Sequence, residues 1–178
     1  MMKNSYLFLV LMFYFSCSKI VPRKPINPKP STTLYKETIK EFIALNKVED
    51  DKILKIIKND SSKVYLQSSN GFWYTYITKI EEDLSTPKAG DEVTLEYDIT
   101  DLNDSILYSK EYLGIKKYKI DKEDFISGLQ KGIKLMKIGE TITFVIPSYS
   151  AFGISGDGNK IGMNQSIKSS VKLININK

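Results

Sequence analysis

The chain has 178 residues, with 26 Lys and Arg against 21 Asp and Glu for a formal net charge of +5, one cysteine and no histidine. Without histidine there is no Ser-His-Asp or Cys-His catalysis, and a single thiol supports neither a zinc site nor an internal disulfide. No glycine-rich phosphate loop is present, and the lysines are interspersed with acids rather than clustered with arginine as in a nucleic-acid reader, so no cofactor, no metal and no nucleic-acid partner is expected.

Lys3 precedes an uncharged apolar run over residues 6–15, and Ser16-Cys17-Ser18 follows at once. A charged start, about ten apolar residues and a small residue before the cut make a secretory signal peptide. The run is too short for a transmembrane helix, which needs roughly 20 apolar residues. A cysteine at the first mature position resembles a bacterial lipoprotein signal, although Tyr14 stands where leucine is usual. That resemblance implies lipidation of Cys17 and a stable membrane anchor, facing the periplasm from the inner or outer membrane. An ordinary secreted protein with a free thiol is the alternative. Removing residues 1–16 deletes Lys3 and no acid, taking the formal charge from +5 to +4.

Residues 17–33 carry Pro22, Pro25, Pro28 and Pro30 between Lys19, Arg23, Lys24 and Lys29. Proline at such density forbids helix and favours extended polyproline II, a stiff tether. In 34–60 the period changes. Leu34, Ile39, Phe42, Ile43 and Leu45, then Ile53, Leu54, Ile56 and Ile57, recur at helical spacing. Two helices are expected, 35–46 and 49–59, forming an arm that binds a partner, dimerises, or caps the domain that follows.

From Val64 the chain turns to strand chemistry. Residues 64–67 and 72–80 flank Ser69-Asn70-Gly71, a hairpin signal. Further strands are expected at 92–100, 105–112, 116–121, 141–146 and 166–176. A helix is expected over 124–136, where Phe125, Ile126, Leu129, Ile133 and Met136 make an apolar stripe. Many antiparallel strands around one helix make an α+β domain, a strongly bent sheet wrapped on that helix.

Five segments then resemble one family, the FK506-binding-protein (FKBP) type peptidyl-prolyl cis-trans isomerases. They are Gly90-Asp91-Glu92-Val93-Thr94-Leu95-Glu96-Tyr97; Phe125-Ile126-Ser127-Gly128-Leu129-Gln130-Lys131-Gly132; Met136-Lys137-Ile138-Gly139-Glu140; Pro147-Ser148-Tyr149-Ser150-Ala151-Phe152-Gly153; and the closing strand with Ile161, Asn164, Ile167, Val171 and Leu173. They lie in the family's order over about residues 87–178, the core of a domain read as 61–178. Anchor, arm and the strand Gly71-Phe72-Trp73-Tyr74 together resemble the FKBP-type lipoproteins associated with gliding motility.

The resemblance implies a pocket wall of Tyr97, Tyr108, Phe125, Ile126, Leu129, Phe152 and Ile161, with the Ile126 amide donating to a ligand carbonyl and Tyr118 nearby. It implies proline-containing polypeptides of the cell envelope as partners. Four positions depart from the family: Leu129 replaces a floor tryptophan, Phe152 a tyrosine, Ser109 an aspartate, and Ser169 an aromatic residue. Glycines in the flap 153–158 would let a substrate backbone approach closely. The functional expectation is an anchored prolyl isomerase; a polypeptide-binding chaperone without turnover, or a structural spacer, are the alternatives.

Overall fold

A computed structural model describes the backbone of residues 32–178 and the side chains from residue 35 on. The signal peptide, Cys17 and most of the tether lie outside the described residues. The chain divides into compact units of residues 1–36 and 37–178. Of the first, only residues 32–36 are described, as helix.

The α1 helix spans Thr32–Asn59 without interruption, so the two expected helices are one. Asn46-Lys47-Val48-Glu49 contains neither glycine nor proline, and nothing there stops propagation. What changes near residue 49 is the environment of the apolar stripe. Phe42, Ile43 and Leu45 are exposed, whereas Ile53 is fully buried. Helix α1 ends where Asp60 donates its N–H to the carbonyls of Ile56 and Ile57 (both 3.2 Å).

Eight strands follow among the described residues: β1 (Leu66–Gln67), β2 (Trp73–Thr78), β3 (Glu92–Tyr97), β4 (Ile99–Thr100), β5 (Ile106–Tyr108), β6 (Lys116–Lys119), β7 (Thr141–Ile146) and β8 (Ile167–Asn177). They form one antiparallel sheet in the order β1-β2-β7-β8-β3-β6, with β4 bridging β8 and β5. The expected hairpin joins β1 to β2. Ser68 donates its N–H to the Phe72 carbonyl (2.8 Å), Gly71 donates back to the Ser68 carbonyl (3.2 Å), and Gly71 sits at φ +77°. The expected strand 92–100 breaks at Asp98. Its carboxylate takes the Ser170 N–H (2.8 Å) and its carbonyl takes the Ser169 hydroxyl (2.6 Å), so the sheet bends there.

The expected strand 105–112 ends at Tyr108. Helix α2 (Lys110–Leu113) replaces the rest because Ser109 caps it, its hydroxyl accepting from the Tyr112 N–H (3.3 Å). The expected helix 124–136 shortens to α3 (Ser127–Ile133), leaving Phe125 and Ile126 ahead of its first turn. Gln130 Nε2 donates to the Phe125 carbonyl (2.8 Å) and fixes that lead-in segment.

One face of the sheet packs on α3 through Leu129, Ile133, Phe144, Ile146, Val171 and Leu173. Gly128 and Gly132 allow the close approach: a Cβ on Gly132 would lie 2.5 Å from a Phe144 ring carbon. A second, smaller core holds Ile53 of α1 against Trp73 and Val145, cross-strand partners in β2 and β7. Burying a side chain such as Ile53 stabilises by about 1.5–3 kcal/mol, so the middle of α1 is held to the sheet.

Candidate active site

Strand alternation puts Tyr97 and Ile99 on the concave side of the sheet, and the lead-in to α3 brings Phe125 and Ile126 opposite them. The loop between β7 and β8 adds Ala151, Phe152 and Asp157. These residues, with Tyr108, Leu113 and Asp124, line a cavity of about 450 Å³. Of the seven wall residues expected from the sequence, five line it: Tyr97, Tyr108, Phe125, Ile126 and Phe152. Leu129 and Ile161 are buried in the adjoining core. A larger groove of about 820 Å³ contains none of the seven and is lined partly by Glu49, Lys52, Asp101 and Asn103.

Aromatic contacts make the wall rigid. The Phe125 ring lies edge-on to Tyr97 at 5.5 Å and against Tyr118 at 4.9 Å. Tyr118 is buried behind Phe125, and its hydroxyl accepts the Asp121 N–H (3.2 Å), which makes it a support rather than a wall residue. Ser109 and Ser169, two departures from the family pattern, are both occupied structurally: one caps α2, the other is fully buried and bonded to Asp98.

Polar groups at the cavity are few. Tyr97 is 8% exposed, its phenol pushed up by burial, and its hydroxyl has no partner among the described residues. The Ile126 N–H likewise takes no partner among them. Tyr108 donates its hydroxyl to Asp157 Oδ2. Asp157 Oδ1 accepts the N–H groups of Ile161 (2.8 Å) and Asn159 (2.9 Å). Lys160 Nζ lies 5.1 Å from the Tyr108 ring centroid and covers its outer face.

Asp124 and Asp157 are the polar lining residues that the expected wall lacked, beside the apolar Ile99, Leu113 and Ala151. Asp157 sits inside the glycine-rich flap, where its short acceptor side chain was the available signal. One flap glycine also has a reason inside the loop itself. A Cβ on Gly156 would lie 2.2 Å from the Ile161 carbonyl oxygen, so Gly156 is needed for the loop's closure on itself.

Burial raises the Asp157 carboxyl, but hydrogen bonds from Tyr108, Ile161 and Asn159 outweigh it and hold the group below its usual range. The bond to Asp157 holds the Tyr108 phenol above its usual value. A depressed acid contributes fully above its unfolded pKa, about 4, and is lost as pH falls through the folded value. A raised phenol contributes fully below about 10 and is lost as pH rises through its folded value. Affinity for a proline peptide, measured by titration, is therefore expected to be flat between those limits and to fall on the acid side. Asp157→Asn should remove that acid limb; an unchanged limb would rule Asp157 out as its source.

An aromatic cavity on a bent sheet, with the Tyr97 hydroxyl and the Ile126 N–H unpartnered among the described residues, is shaped to hold an apolar group. A family model described as FKBP-type peptidyl-prolyl cis-trans isomerase matches residues 84–174, and the chain belongs to that family. It is 31% identical over 131 residues to the probable FKBP-type peptidyl-prolyl cis-trans isomerase FkpA of Neisseria meningitidis serogroup B. That match covers 74% of this chain and 46% of the relative, so the chain spans about half the relative's length. Two solved structures share the fold at a TM-score of 0.60: a peptidyl-prolyl cis-trans isomerase from Pseudomonas syringae pv. tomato and FkpA from Escherichia coli. The first is 20% identical and covers 74% of this chain and 96% of its own; the second is 21% identical and covers 99% and 83%.

Proposed function

We propose that this protein is a membrane-anchored peptidyl-prolyl cis-trans isomerase that speeds proline-limited folding of cell-envelope polypeptides. The observation that carries the reading is the cavity of Tyr97, Tyr108, Phe125, Ile126 and Phe152 inside the segment that matches the family. Its resemblance to the gliding-motility lipoproteins suggests clients in that apparatus.

Amide resonance holds up a rotation barrier of about 18–20 kcal/mol in an ordinary peptide bond, and X-Pro isomerisation takes tens of seconds or longer uncatalysed. The twisted imide has lost part of that resonance, so its carbonyl is less dipolar than the planar one. A dry aromatic site therefore favours the twisted form over the planar one. Phe125, Phe152 and Tyr97 would hold the pyrrolidine ring, and the Ile126 N–H would take a substrate carbonyl outside the imide, which anchors the chain without favouring the planar form. Tyr97, whose hydroxyl is free, would supply a second donor. None of these steps needs a group that changes protonation.

Phe152 carries no hydroxyl where the family usually has one, and this favours a second reading, polypeptide binding without turnover. The two separate in a direct isomerisation assay on an Xaa-Pro peptide. Phe152→Tyr adds a hydroxyl at the cavity with almost no change in volume, so strain should be small. A rise of a few-fold in kcat/KM is expected, in keeping with about 1 kcal/mol for one hydrogen bond. If neither wild type nor this variant turns over, the binding-module reading replaces the isomerase.

Anchoring rests on Cys17, the sole thiol. Among the described residues no helix is long and apolar enough to cross a membrane. Cys17→Ala should leave the protein unprocessed or move it to the soluble fraction. Normal processing with salt-resistant membrane retention would remove the lipid anchor from the proposal.

A further inference from the structure

We infer that Glu49 of helix α1 is a positioning residue for the cavity: its carboxylate fixes both ends of the loop that carries Phe152 and Asp157. The inference rests on the isomerase reading for its catalytic consequence, but its geometry stands apart from it.

The loop leaves β7 at Ser148 and rejoins β8 at Ser166. Glu49 Oε1 accepts the Ser148 N–H (2.6 Å) and the Ser166 hydroxyl, while Oε2 accepts the Ser148 hydroxyl (2.8 Å). Ser148 and Ser166 are both buried, so these donors depend on the carboxylate that reaches them. A buried donor left without its acceptor costs about 1–3 kcal/mol, which gives the contact a defined geometry rather than a loose one. The neighbouring Asp50 adds a bond from the Tyr149 hydroxyl (2.9 Å).

The constraint continues from Ser148 toward the cavity. The carbonyl of Ser148 accepts the N–H groups of Ala151 (2.9 Å) and Gly153 (2.8 Å), the two neighbours of Phe152 in the chain. The Gly153 carbonyl in turn accepts the Asn164 N–H (2.9 Å), just before the second end of the loop. Glu49, Ser148, Gly153 and Ser166 thus close a ring of hydrogen bonds and chain around Phe152. Glu49 does not line the cavity. A shift of Ser148 reaches Phe152 through two hydrogen bonds to its flanking amides. Small misplacements of a wall residue are costly in catalysis, since about 1 Å can lower a rate by about 100-fold.

The contact could instead serve only to hold α1 on the sheet, and Ile53 provides the comparison. Ile53 belongs to the same helix but packs on Trp73 and Val145 and has no bond to the loop. The test compares the full chain as wild type, Glu49→Gln, Ser166→Ala and Ile53→Ala. Readouts are kcat and KM on an Xaa-Pro tetrapeptide, Tm, the emission of Trp73 as the sole tryptophan, and amide exchange at Ala151 and Gly153.

Glu49→Gln is expected to lower kcat/KM about five- to tenfold, mostly through kcat, and to speed exchange at both amides while leaving β3 unchanged. Ser166→Ala should give a smaller loss in the same direction, because it removes only one of the three donors to Glu49. Ile53→Ala should lower Tm at least as far and shift Trp73 emission, yet keep kcat/KM within about twofold of wild type. Unchanged kcat/KM and exchange in Glu49→Gln would overturn the inference. So would an equal loss of kcat/KM in Ile53→Ala, which would make helix docking the whole effect. If wild type itself shows no turnover, the isomerase reading fails, and exchange at Ala151 and Gly153 alone decides the positioning: acceleration supports it and no change overturns it.

Discussion

Tyr97→Ala is expected to lower kcat/KM on an Xaa-Pro peptide by about 100-fold or more while the chain still folds. The ring is 8% exposed, joins the main core and stands edge-on to Phe125 at 5.5 Å. Its removal opens the cavity on the sheet side, admits water and leaves Tyr118 as the remaining aromatic neighbour of Phe125. The cost in stability is about 3–5 kcal/mol, as for a large aromatic truncated in a core. A domain of ordinary stability, about 5–15 kcal/mol, survives that loss at low temperature. Circular dichroism at the assay temperature separates the two effects. Tyr97→Phe keeps the ring and removes only the partnerless hydroxyl, so a loss of about fivefold is expected, equivalent to about 1 kcal/mol. Wild-type activity in Tyr97→Phe would dismiss the hydroxyl as a substrate donor. Full activity in a folded Tyr97→Ala would dismiss the cavity itself.

The second large effect belongs to Gly156. It has φ +65°, and an added Cβ would meet the Ile161 carbonyl oxygen at 2.2 Å and the Gly162 carbonyl carbon at 2.9 Å. Both obstacles are backbone, so no rotamer change relieves them. The left-handed conformation adds about 1–2 kcal/mol for a residue with a side chain. Gly156→Ala must therefore open the loop, breaking the Asp157 N–H bond to the Ile161 carbonyl (3.1 Å) and loosening the Tyr108–Asp157 link. Peptide turnover should fall about tenfold or more, with a smaller drop in Tm than for Tyr97→Ala because the strain is released in a loop. Gly158→Ala is the control. Its φ is +73° but its Cβ would meet nothing within 4 Å, so only the backbone preference is lost. Equal behaviour of the two variants would mean that the close contact at Gly156 does not constrain the loop.

Much of this was legible in the residues. Val93, Leu95 and Tyr97 alternate with Glu92, Thr94 and Glu96, and this alone assigns β3 and its buried face. The stripe Leu129 and Ile133 marks the helix that the sheet packs on, and both are fully buried, as is Met136 just past its end. The family resemblance carried by the segments with Phe125-Ile126 and Ala151-Phe152 pointed to five of the residues that line the cavity. The lack of histidine directed the chemistry away from activated nucleophiles before any contact was known.

Other features depend on partners distant in sequence. The α1 stripe shows that a helix forms, but only the packing of Ile53 on Trp73 and Val145 shows which part is covered. Helix α2 interrupts an apolar, strand-like run because one serine hydroxyl meets the Tyr112 amide, a local bond that composition does not weigh. The expected floor residue Leu129 is excluded from the cavity lining by its depth in the core, and Ile161 turns into a loop anchor through Asp157.

Periodicity and residue chemistry are local properties of the chain, and they were enough for the class of the domain and the exclusion of histidine-based catalysis, while most of the apolar wall came from the family resemblance. Which donors stay free, why Gly156 must be glycine, and how Glu49 reaches Ser148 and Ser166 came only with the folded arrangement. The Glu49 bonds join residues 99 and 117 positions apart, and no local pattern encodes such a contact.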